Sequence, residues 1–244
     1  MLQQTKGIVL RTIKYGETSV VCSVFTEMYG VQSYMVQGVR SSKTKGNKAG
    51  LLQPASLLDM VVYHKPQANL QRIKEFQSAY IYQSLQEHVV KNSIALYSVE
   101  LLLRLLPEQA PIPELFGESM DYFMRLDKAE VDKVGNYPLY FSRECCNMLG
   151  YNITGNYSAK TPHLNMQEGG FTAFPPIQRP FMTDEDARLV GLLLDVRSLE
   201  SVSQIPMNGA TRFRLLDWFI EFMHSHTQHM GEIKSLPVLR AVLH

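Results

Sequence analysis

The sequence predicts an α+β protein in which a small β-barrel precedes an all-helical domain. Apolar and polar residues alternate with the period of strands through residues 1–78, whereas helical spacing begins near Ile94. Charge divides in the same way: residues 1–78 contain ten Lys and Arg against four acidic residues, a net charge of +6, and residues 79–244 contain fourteen against nineteen, a net charge of −5. We therefore expect two domains, 1–78 and 79–244, and a polyanion as the partner of the first.

Composition indicates a folded protein of a reducing compartment. Hydrophobic residues make up 45% of the 244-residue chain and charged residues 19%, which are globular values. The three cysteines provide no disulfide framework. The most apolar run, 101–106, contains Arg104 and ends at Pro107, so it is too short and too charged to span a bilayer. We expect a soluble, cytoplasmic protein.

Five short strands account for the first domain. They are predicted at Thr5–Ile13, Ser19–Phe25, Val31–Gln37, Leu57–Tyr63 and Leu70–Phe76. In the second strand, one face carries Val20, Cys22 and Val24, and the other carries Val21, Ser23 and Phe25. In the fifth, Arg72 and Lys74 share one face while Ile73 takes the other. The OB-fold is the common five-stranded barrel, although strand count alone leaves an SH3-like barrel equally possible.

Helices and one irregular insertion account for the second domain. Helices are predicted at Ile94–Leu106, from Pro113 onward, at Pro138–Leu149, from Thr183 as N-cap, and at Asn208–Met230. Glycines and prolines between Tyr151 and Pro180 exclude a long helix there. This insertion, 151–180, is expected to be an ordered loop or a flap.

Basic residues of the first domain are the candidate nucleic-acid contacts. The connection from Gly38 to Gly50 carries four of them without one acidic residue, which is typical of a phosphate-binding loop, although it is also compatible with a solvated one. The predicted contacts are Lys6, Arg11, Lys14, Arg40, Lys43, Lys45, Lys48, Arg72 and Lys74. Tyr15, Tyr34 and Tyr63 are candidates for stacking on bases, and each fits the barrel core at least as well.

No catalytic or metal-binding motif is recognisable. The chain lacks a phosphate-binding G-x-x-x-x-G-K-[ST] loop, a G-x-S-x-G elbow and an H-E-x-x-H pair, so we expect no enzyme and no cofactor. His224, His226 and His229 fit an exposed helix end better than a metal site, because no further ligand is evident. Cys145 and Cys146 point about 100° apart on a helix and are expected to fill the core.

Four basic residues stand out in the acidic second domain, beside an aromatic-rich helix. They are Arg212, Arg214, Lys234 and Arg240. Such a group could receive an acidic peptide with an apolar tip, and ordinary surface charge is the competing interpretation.

Short motifs along nearly the whole chain resemble one family. In order, they are Lys6-Gly7-Ile8-Val9-Leu10, Tyr15-Gly16-Glu17, Phe25-Thr26, Gly30, Gly38-Val39-Arg40, Leu51-Leu52-Gln53-Pro54, Glu100-Leu101, Leu149-Gly150-Tyr151, Gly169-Gly170 and Lys234-Ser235-Leu236. Together they resemble the bacterial recombination mediator RecO, most specifically in the N-terminal part.

The resemblance implies a fold and a set of partners. It implies an N-terminal OB-fold, a helical C-terminal domain, binding of single- and double-stranded DNA, and annealing of complementary strands. It also implies three protein partners: the single-stranded-DNA-binding protein through its acidic tail, RecR, and indirectly the recombinase RecA.

One departure from the family pattern concerns zinc. Many relatives carry two C-x-x-C pairs around the Gly-Gly motif, whereas 151–180 contains no cysteine. We therefore expect no structural zinc, with this segment held by apolar packing of residues such as Phe171 and Phe174.

Two other functional classes stay open at this stage. Basic charge alone is compatible with an RNA-binding OB-fold protein of translation or RNA processing. A protein–protein adaptor with a purely structural barrel is the second alternative.

Overall fold

A computed structural model describes residues 1–39, 48–66, 68–177, 181–228 and 230–243. The chain forms two compact units, Met1–Lys128 and Ala129–His244. The last barrel strand ends at Ser78, where the sequence changes from strand to helix, and the first two helices belong to the same compact unit as the barrel. That residues 79–244 act as one functional domain stays a prediction.

The first unit contains a closed five-stranded barrel. Its strands are β1 (Leu2–Tyr15), β2 (Ser19–Thr26), β3 (Gly30–Val36), β4 (Leu57–Tyr63) and β5 (Gln71–Ser78). Neighbours around the barrel follow the order β1-β2-β3-β5-β4, and β3 and β5 are parallel while the other pairs are antiparallel. This order is that of the OB-fold, so the predicted fold class is confirmed and the SH3-like alternative is excluded.

Alternation along the strands decides what lies inside the barrel. Val20, Cys22 and Val24, which the sequence places on one face of β2, are buried in its core. Ile73 of β5 also packs against this core, whereas Arg72 and Lys74 are exposed. The register shifts between Ile73 and Glu75, so Lys74 is the extra residue of a bulge.

Gly30 allows the connection between the first two helices to dock on the barrel. Its φ is 64°, and a Cβ at this position would lie 2.3 Å from the carbonyl oxygen of Ala110. One residue away, Gln109 donates its backbone N–H to the carbonyl of Val31 at 3.0 Å. Only glycine satisfies both the turn and this close approach.

Two helices complete the first unit: α1 (Val89–Leu105), which ends before Pro107 as predicted, and α2 (Pro113–Lys128). Phe116 of α2 packs edge-on against Phe25 on the outer face of β2, with ring centroids 5.4 Å apart. This contact covers the outer side of β2 near Phe25, whereas Ile13 and Tyr15 near the β1–β2 turn are exposed.

Asp127 of α2 anchors the segment between the barrel and α1. Its carboxylate accepts five hydrogen bonds of 2.8 to 3.1 Å, from the backbone N–H groups of Gln83 (to both oxygens), Ser84 and Leu85 and from the hydroxyl of Tyr80. Burial alone would raise the pKa of Asp127, but these hydrogen bonds outweigh it and hold the pKa below its ordinary value. The buried Lys91 ammonium donates to the backbone carbonyl of Asp127 at 2.7 Å.

The second unit is mainly helical. It contains α3 (Tyr137–Met148), α4 (Asp184–Asp195), α5 (Leu199–Ser203), α6 (Gly209–His226) and α7 (Leu236–Val242). The Asn208 side chain caps α6 by accepting a hydrogen bond from the backbone of Thr211 at 2.9 Å. Cys145 and Cys146 on α3 are fully buried, which confirms them as core residues, and burial raises the pKa of Cys146 to about 12.

The irregular insertion contains a small sheet that the sequence did not predict. Its strands β6 (His163–Asn165) and β7 (Gly170–Thr172) lie within the insertion, and β8 (Phe181–Met182) follows it directly, in the order β7-β6-β8. Phe171 is buried as predicted, opposite Leu164. The prediction for Phe174 is wrong: its side chain is 82% exposed, because it lies beyond the end of β7, where the chain turns away and its carbonyl accepts a hydrogen bond from Thr172.

Candidate nucleic-acid interface

The strand order places a recognisable binding surface on the barrel. In OB-folds, oligonucleotides bind across the second and third strands and beside the β1–β2 and β4–β5 connections. Here the outward side chains of β2 and β3 include Val21, Ser23, Ser33 and Met35, because their neighbours along each strand point into the core. The residues expected to meet a strand therefore lie on this face and around it.

Two of the predicted DNA contacts lie on this face, and a third, Lys14, lies at the end of the barrel, where its register partner Val20 is a core residue. Arg11 of β1 lies opposite Ser23 in register, and Arg72 of β5 lies opposite Met35. Lys14 is one residue before the end of β1. All three side chains are exposed, so their charges are available to a polyanion.

Two other predicted contacts lie in a different setting. Lys6 and Lys48 line a polar cleft of about 700 Å³ that also contains Glu27, Asp59 and Glu75. Lys6 is the register partner of Asp59. Because three carboxylates accompany two ammonium groups, this cleft offers a weaker attraction to phosphate than the face around Arg11 and Arg72.

Lys74 lies between the two settings. Its ammonium is 3.2 Å from the carboxylate of Glu75, and it lines a second cleft of about 170 Å³ together with Met35, Lys48 and Arg72. The three remaining predicted contacts, Arg40, Lys43 and Lys45, lie outside the described residues.

The three tyrosines that were candidates for stacking on bases differ in how far they are buried. Tyr34 is fully buried in the barrel core, so it cannot stack on a base. Burial, and to a lesser degree the charge of Tyr29, raises the pKa of its hydroxyl. Tyr15 at the end of β1 and Tyr63 at the end of β4 are 56% and 44% exposed, and both present a ring to solvent.

Gln71 positions the β4–β5 connection, a role that the sequence reasoning missed. Its buried amide accepts the backbone N–H of Lys65 at 3.0 Å and donates to the carbonyl oxygens of Lys65 and Ala68 at 2.8 and 2.9 Å. The Gln71 side chain thus provides hydrogen-bond partners for backbone groups of the β4–β5 connection, which lies next to Arg72. A polar residue at an inward-facing strand position is the one signal that could have indicated it.

Two of the predicted peptide-binding arginines of the second unit have carboxylate partners. Arg214 holds the Asp186 carboxylate with two bonds of 2.7 Å, and Arg240 pairs with Asp217 and lies 5.0 Å from the ring centroid of Phe213. A peptide carboxylate would therefore have to compete with an acidic side chain of this chain at either arginine.

The other two predicted peptide contacts differ in exposure: Arg212 is partly buried and Lys234 is exposed. Arg212 donates to the side-chain oxygen of Asn136 at 3.0 Å and to the carbonyl of Met207 at 3.3 Å, and burial lowers its pKa. Asn136 in turn donates to the carbonyls of Val202 and Ile205, so Arg212 belongs to the network that holds the α5–α6 connection on the start of α3.

Two of the three histidines lie at an exposed helix end. His224 and His226 lie in the last turn of α6, and a ring nitrogen of His226 is 2.8 Å from the carbonyl of Phe222. His229 lies outside the described residues. In the part of the chain that the structure describes, no three His, Cys, Asp or Glu side chains are grouped to hold a metal, and no helix is long and apolar enough to cross a membrane.

Comparison with known proteins covers both units. Residues 1–82 match the protein-family model for the N-terminal part of recombination protein O, and residues 86–237 match the model for its C-terminal part. The DNA repair protein RecO of Phocaeicola vulgatus is 31% identical over 241 residues, 98% of each chain. The proteins of the same name from Bacteroides fragilis and Flavobacterium psychrophilum are 31% and 28% identical over 243 and 239 residues, again 98% of each chain.

The chain has an OB-fold barrel followed by a helical C-terminal part, and its similarity to DNA repair proteins covers both parts. It therefore belongs among the OB-fold proteins of DNA repair. Within that class, the chain belongs to the RecO family.

Proposed function

We propose that the protein is a non-enzymatic mediator of DNA repair and recombination. It binds single- and double-stranded DNA, anneals complementary strands, and helps to load RecA onto strands coated by the single-stranded-DNA-binding protein. The observation that carries this proposal is the outer face of the OB-fold barrel, where the exposed Arg11 and Arg72 accompany the exposed rings of Tyr15 and Tyr63, with the exposed Lys14 near the end of β1.

Annealing follows from charge neutralisation. Two complementary strands repel each other through their phosphates, and cations that contact both backbones lower this repulsion while counterions are released. No covalent step is needed, so the chain requires no catalytic group. The barrel, with ten basic residues against four acidic ones in residues 1–78, is the part suited to this task.

The helical part is proposed to tether the protein to coated DNA. Its partners are the acidic tail of the single-stranded-DNA-binding protein and RecR, and the site of action is the cytoplasm. Because Arg214 and Arg240 are paired with Asp186 and Asp217, an acidic peptide would displace these carboxylates from the arginines. The exchange replaces one carboxylate by another, so it is nearly balanced in charge, and apolar contacts must supply the net affinity.

The salt dependence of DNA binding tests the barrel assignment. We expect Arg11→Ala/Arg72→Ala to weaken binding to single-stranded DNA and to flatten its salt dependence by up to roughly 0.7 in log–log slope for each phosphate that is no longer neutralised. The matched control, Arg104→Ala/Arg125→Ala, removes the same charge from exposed or half-exposed ion pairs on α1 and α2 and should leave the slope unchanged.

Two results would contradict the assignment. Equal flattening in both variants would mean that only the overall charge matters, and an unchanged slope in both would place DNA elsewhere. Annealing of complementary oligonucleotides coated with the single-stranded-DNA-binding protein tests the mediator step, and it should slow in the Arg11→Ala/Arg72→Ala variant alone.

A further inference from the structure

The connection that follows β7 places large apolar side chains in solvent. Phe174 is 82% exposed and Ile177 is completely exposed. Residues 173–177 contain no charged side chain. We call 174–177 the apolar arm. Large apolar side chains that are exposed together mark interaction sites more often than isolated ones do.

Two prolines hold the apolar arm in an extended shape. Pro175 and Pro176 each fix their own φ at about −65°, and each disfavours helical backbone at the residue before it. The hydroxyl of Thr172 donates to the carbonyl of Phe174 at 2.8 Å, which fixes the start of the arm. The arm therefore has little conformational freedom to lose when another molecule covers it.

A cleft suited to an aromatic ring lies in the same compact unit. It measures about 100 Å³, and its apolar lining includes Tyr157, Phe171 and Leu192. The rings of Tyr157 and Phe171 meet edge to face, with centroids 6.3 Å apart. A closed apolar cavity of about 150 Å³ holds benzene, so this open cleft accommodates most of one aromatic ring.

The polar side chains of the cleft favour an uncharged occupant. They are Asn156, Arg188 and Asp195. Arg188 donates two hydrogen bonds of 2.7 and 2.8 Å to the carboxylate of Glu185. An acidic peptide would have to compete with Glu185 for this arginine, whereas an apolar side chain leaves the ion pair intact.

The apolar arm and the cleft are close neighbours in the fold. Phe174 follows Phe171 by three residues, so their Cα atoms are at most about 11 Å apart. The exposed ring of Phe174 does not occupy the cleft of its own chain. A protruding group beside a matching recess makes a surface complementary to itself, because a two-fold axis between them places the arm of each copy in the cleft of the other.

We propose that this surface is an interface between two copies of the chain, with Phe174 of each copy in the cleft of the other. Two arms and two clefts bury on the order of 1,000 Å² in total, which is typical of weak, reversible association. The consequence for annealing rests on the proposed function: a dimer carries two barrels, so each barrel holds one complementary strand and the interface brings the two strands together.

Sedimentation equilibrium without DNA, from about 1 to about 100 µM protein, measures this association. We expect the unsubstituted protein to form a concentration-dependent dimer. Because each dimer contains the contact twice, Phe174→Ser should raise the dissociation constant at least roughly 100-fold, and Ile177→Ser should act in the same direction. The matched control is Val238→Ser, which removes an exposed aliphatic side chain of α7 in the same unit and should have no effect.

A mixture of two variants tests the geometry. Leu192→Glu places a charge in the cleft and leaves the arm intact, whereas Phe174→Ser alters the arm and keeps the cleft. A mixed dimer retains one of its two contacts, so the mixture should associate more strongly than either variant alone. No recovery in the mixture, a monomeric unsubstituted protein over the whole concentration range, or equal weakening by Val238→Ser would overturn the interface.

DNA assays keep this inference separate from the proposed function. Phe174→Ser should slow annealing of complementary oligonucleotides and leave binding of one single strand unchanged, because the barrel is not altered. Equal annealing rates with and without this substitution would overturn the role of the dimer in annealing. A protein that dimerises as described but binds no DNA would instead overturn the proposed function.

Discussion

Replacing Asp127 with asparagine removes one negative charge from a buried site and keeps the shape of the side chain. The carboxylate accepts three backbone N–H groups and one hydroxyl, at 2.8 to 3.1 Å. An asparagine offers one oxygen in place of two and directs its own N–H₂ group towards donors. With its oxygen at Oδ1 it keeps the three backbone donors without the negative charge of their acceptor, and it loses the hydrogen bond donated by Tyr80 to Oδ2.

The expected loss of stability is large for a change of one atom. Hydrogen bonds to charged groups contribute about 1.5–3 kcal/mol each. Because asparagine keeps part of the network, we expect Asp127→Asn to lower the free energy of unfolding by about 2–4 kcal/mol. For a chain of this size, the melting temperature should fall by roughly 4–16 °C.

The effect should depend on pH with a definite sign. The pKa of Asp127 is lowered in the folded protein, so its contribution is fully present above the unfolded pKa of about 3.9 and is lost as the pH falls through the lower folded pKa. The difference in stability between the unsubstituted protein and Asp127→Asn should thus be constant near neutral pH and shrink below about pH 4.

Urea unfolding at several pH values measures this difference. The control is Asp121→Asn on the same helix, where a half-exposed carboxylate pairs with Arg125 at 2.7 Å and should contribute less than about 1 kcal/mol. A destabilisation in Asp127→Asn no larger than in this control, or one that stays constant down to about pH 3, would refute the assignment of Asp127 as a charged anchor.

Two further predictions concern buried polar groups of the barrel. Gln71→Leu removes the amide that satisfies the backbone of Lys65 and Ala68, and it should lower the free energy of unfolding by about 1–3 kcal/mol; an unchanged urea midpoint would mean that water replaces the amide. Tyr34→Phe removes a buried hydroxyl that has no hydrogen-bond partner among the described residues, so stability should stay the same or rise by up to about 1 kcal/mol; a decrease above about 1 kcal/mol in the same assay would reveal an unrecognised partner.

Local patterns in the sequence predict the barrel well. The strand β4, at Leu57–Tyr63, agrees with its predicted bounds, and β2 buries the face that its alternation indicates. Bulges limit this reasoning: the register shifts at Leu10 and Lys74 interrupt the simple alternation, and a bulge depends on the partner strand, which the sequence of one strand does not contain. Strand order likewise required the structure, since alternation does not say which strands pair.

The sequence predicts the charged residues of the site, but it does not predict which polar groups are hydrogen-bonded to one another. Basic residues can be read directly from the sequence, so Arg11 and Arg72 could be proposed as DNA contacts. That Lys6 instead lies in a cleft with acidic residues depends on which strands are neighbours, and the sequence does not show this. The partners of Asp127 lie 42 to 47 residues earlier in the chain, beyond the reach of any local pattern. Phe174 was predicted to be buried because it is aromatic, but residue type alone does not determine the direction in which a short connection orients a side chain.

The parallel pairing of β3 with β5 makes one side of the barrel weaker than the rest. Its register contains two pairs, Tyr34 with Gln71 and Met35 with Arg72, whereas β1 and β2 are joined by eight. With so few paired residues, it should be the first part of the barrel to open in local unfolding. Amide hydrogens of this pairing should exchange faster than those between β1 and β2. A nucleic-acid strand bound across Met35 and Arg72 would hold β3 and β5 together and slow this exchange.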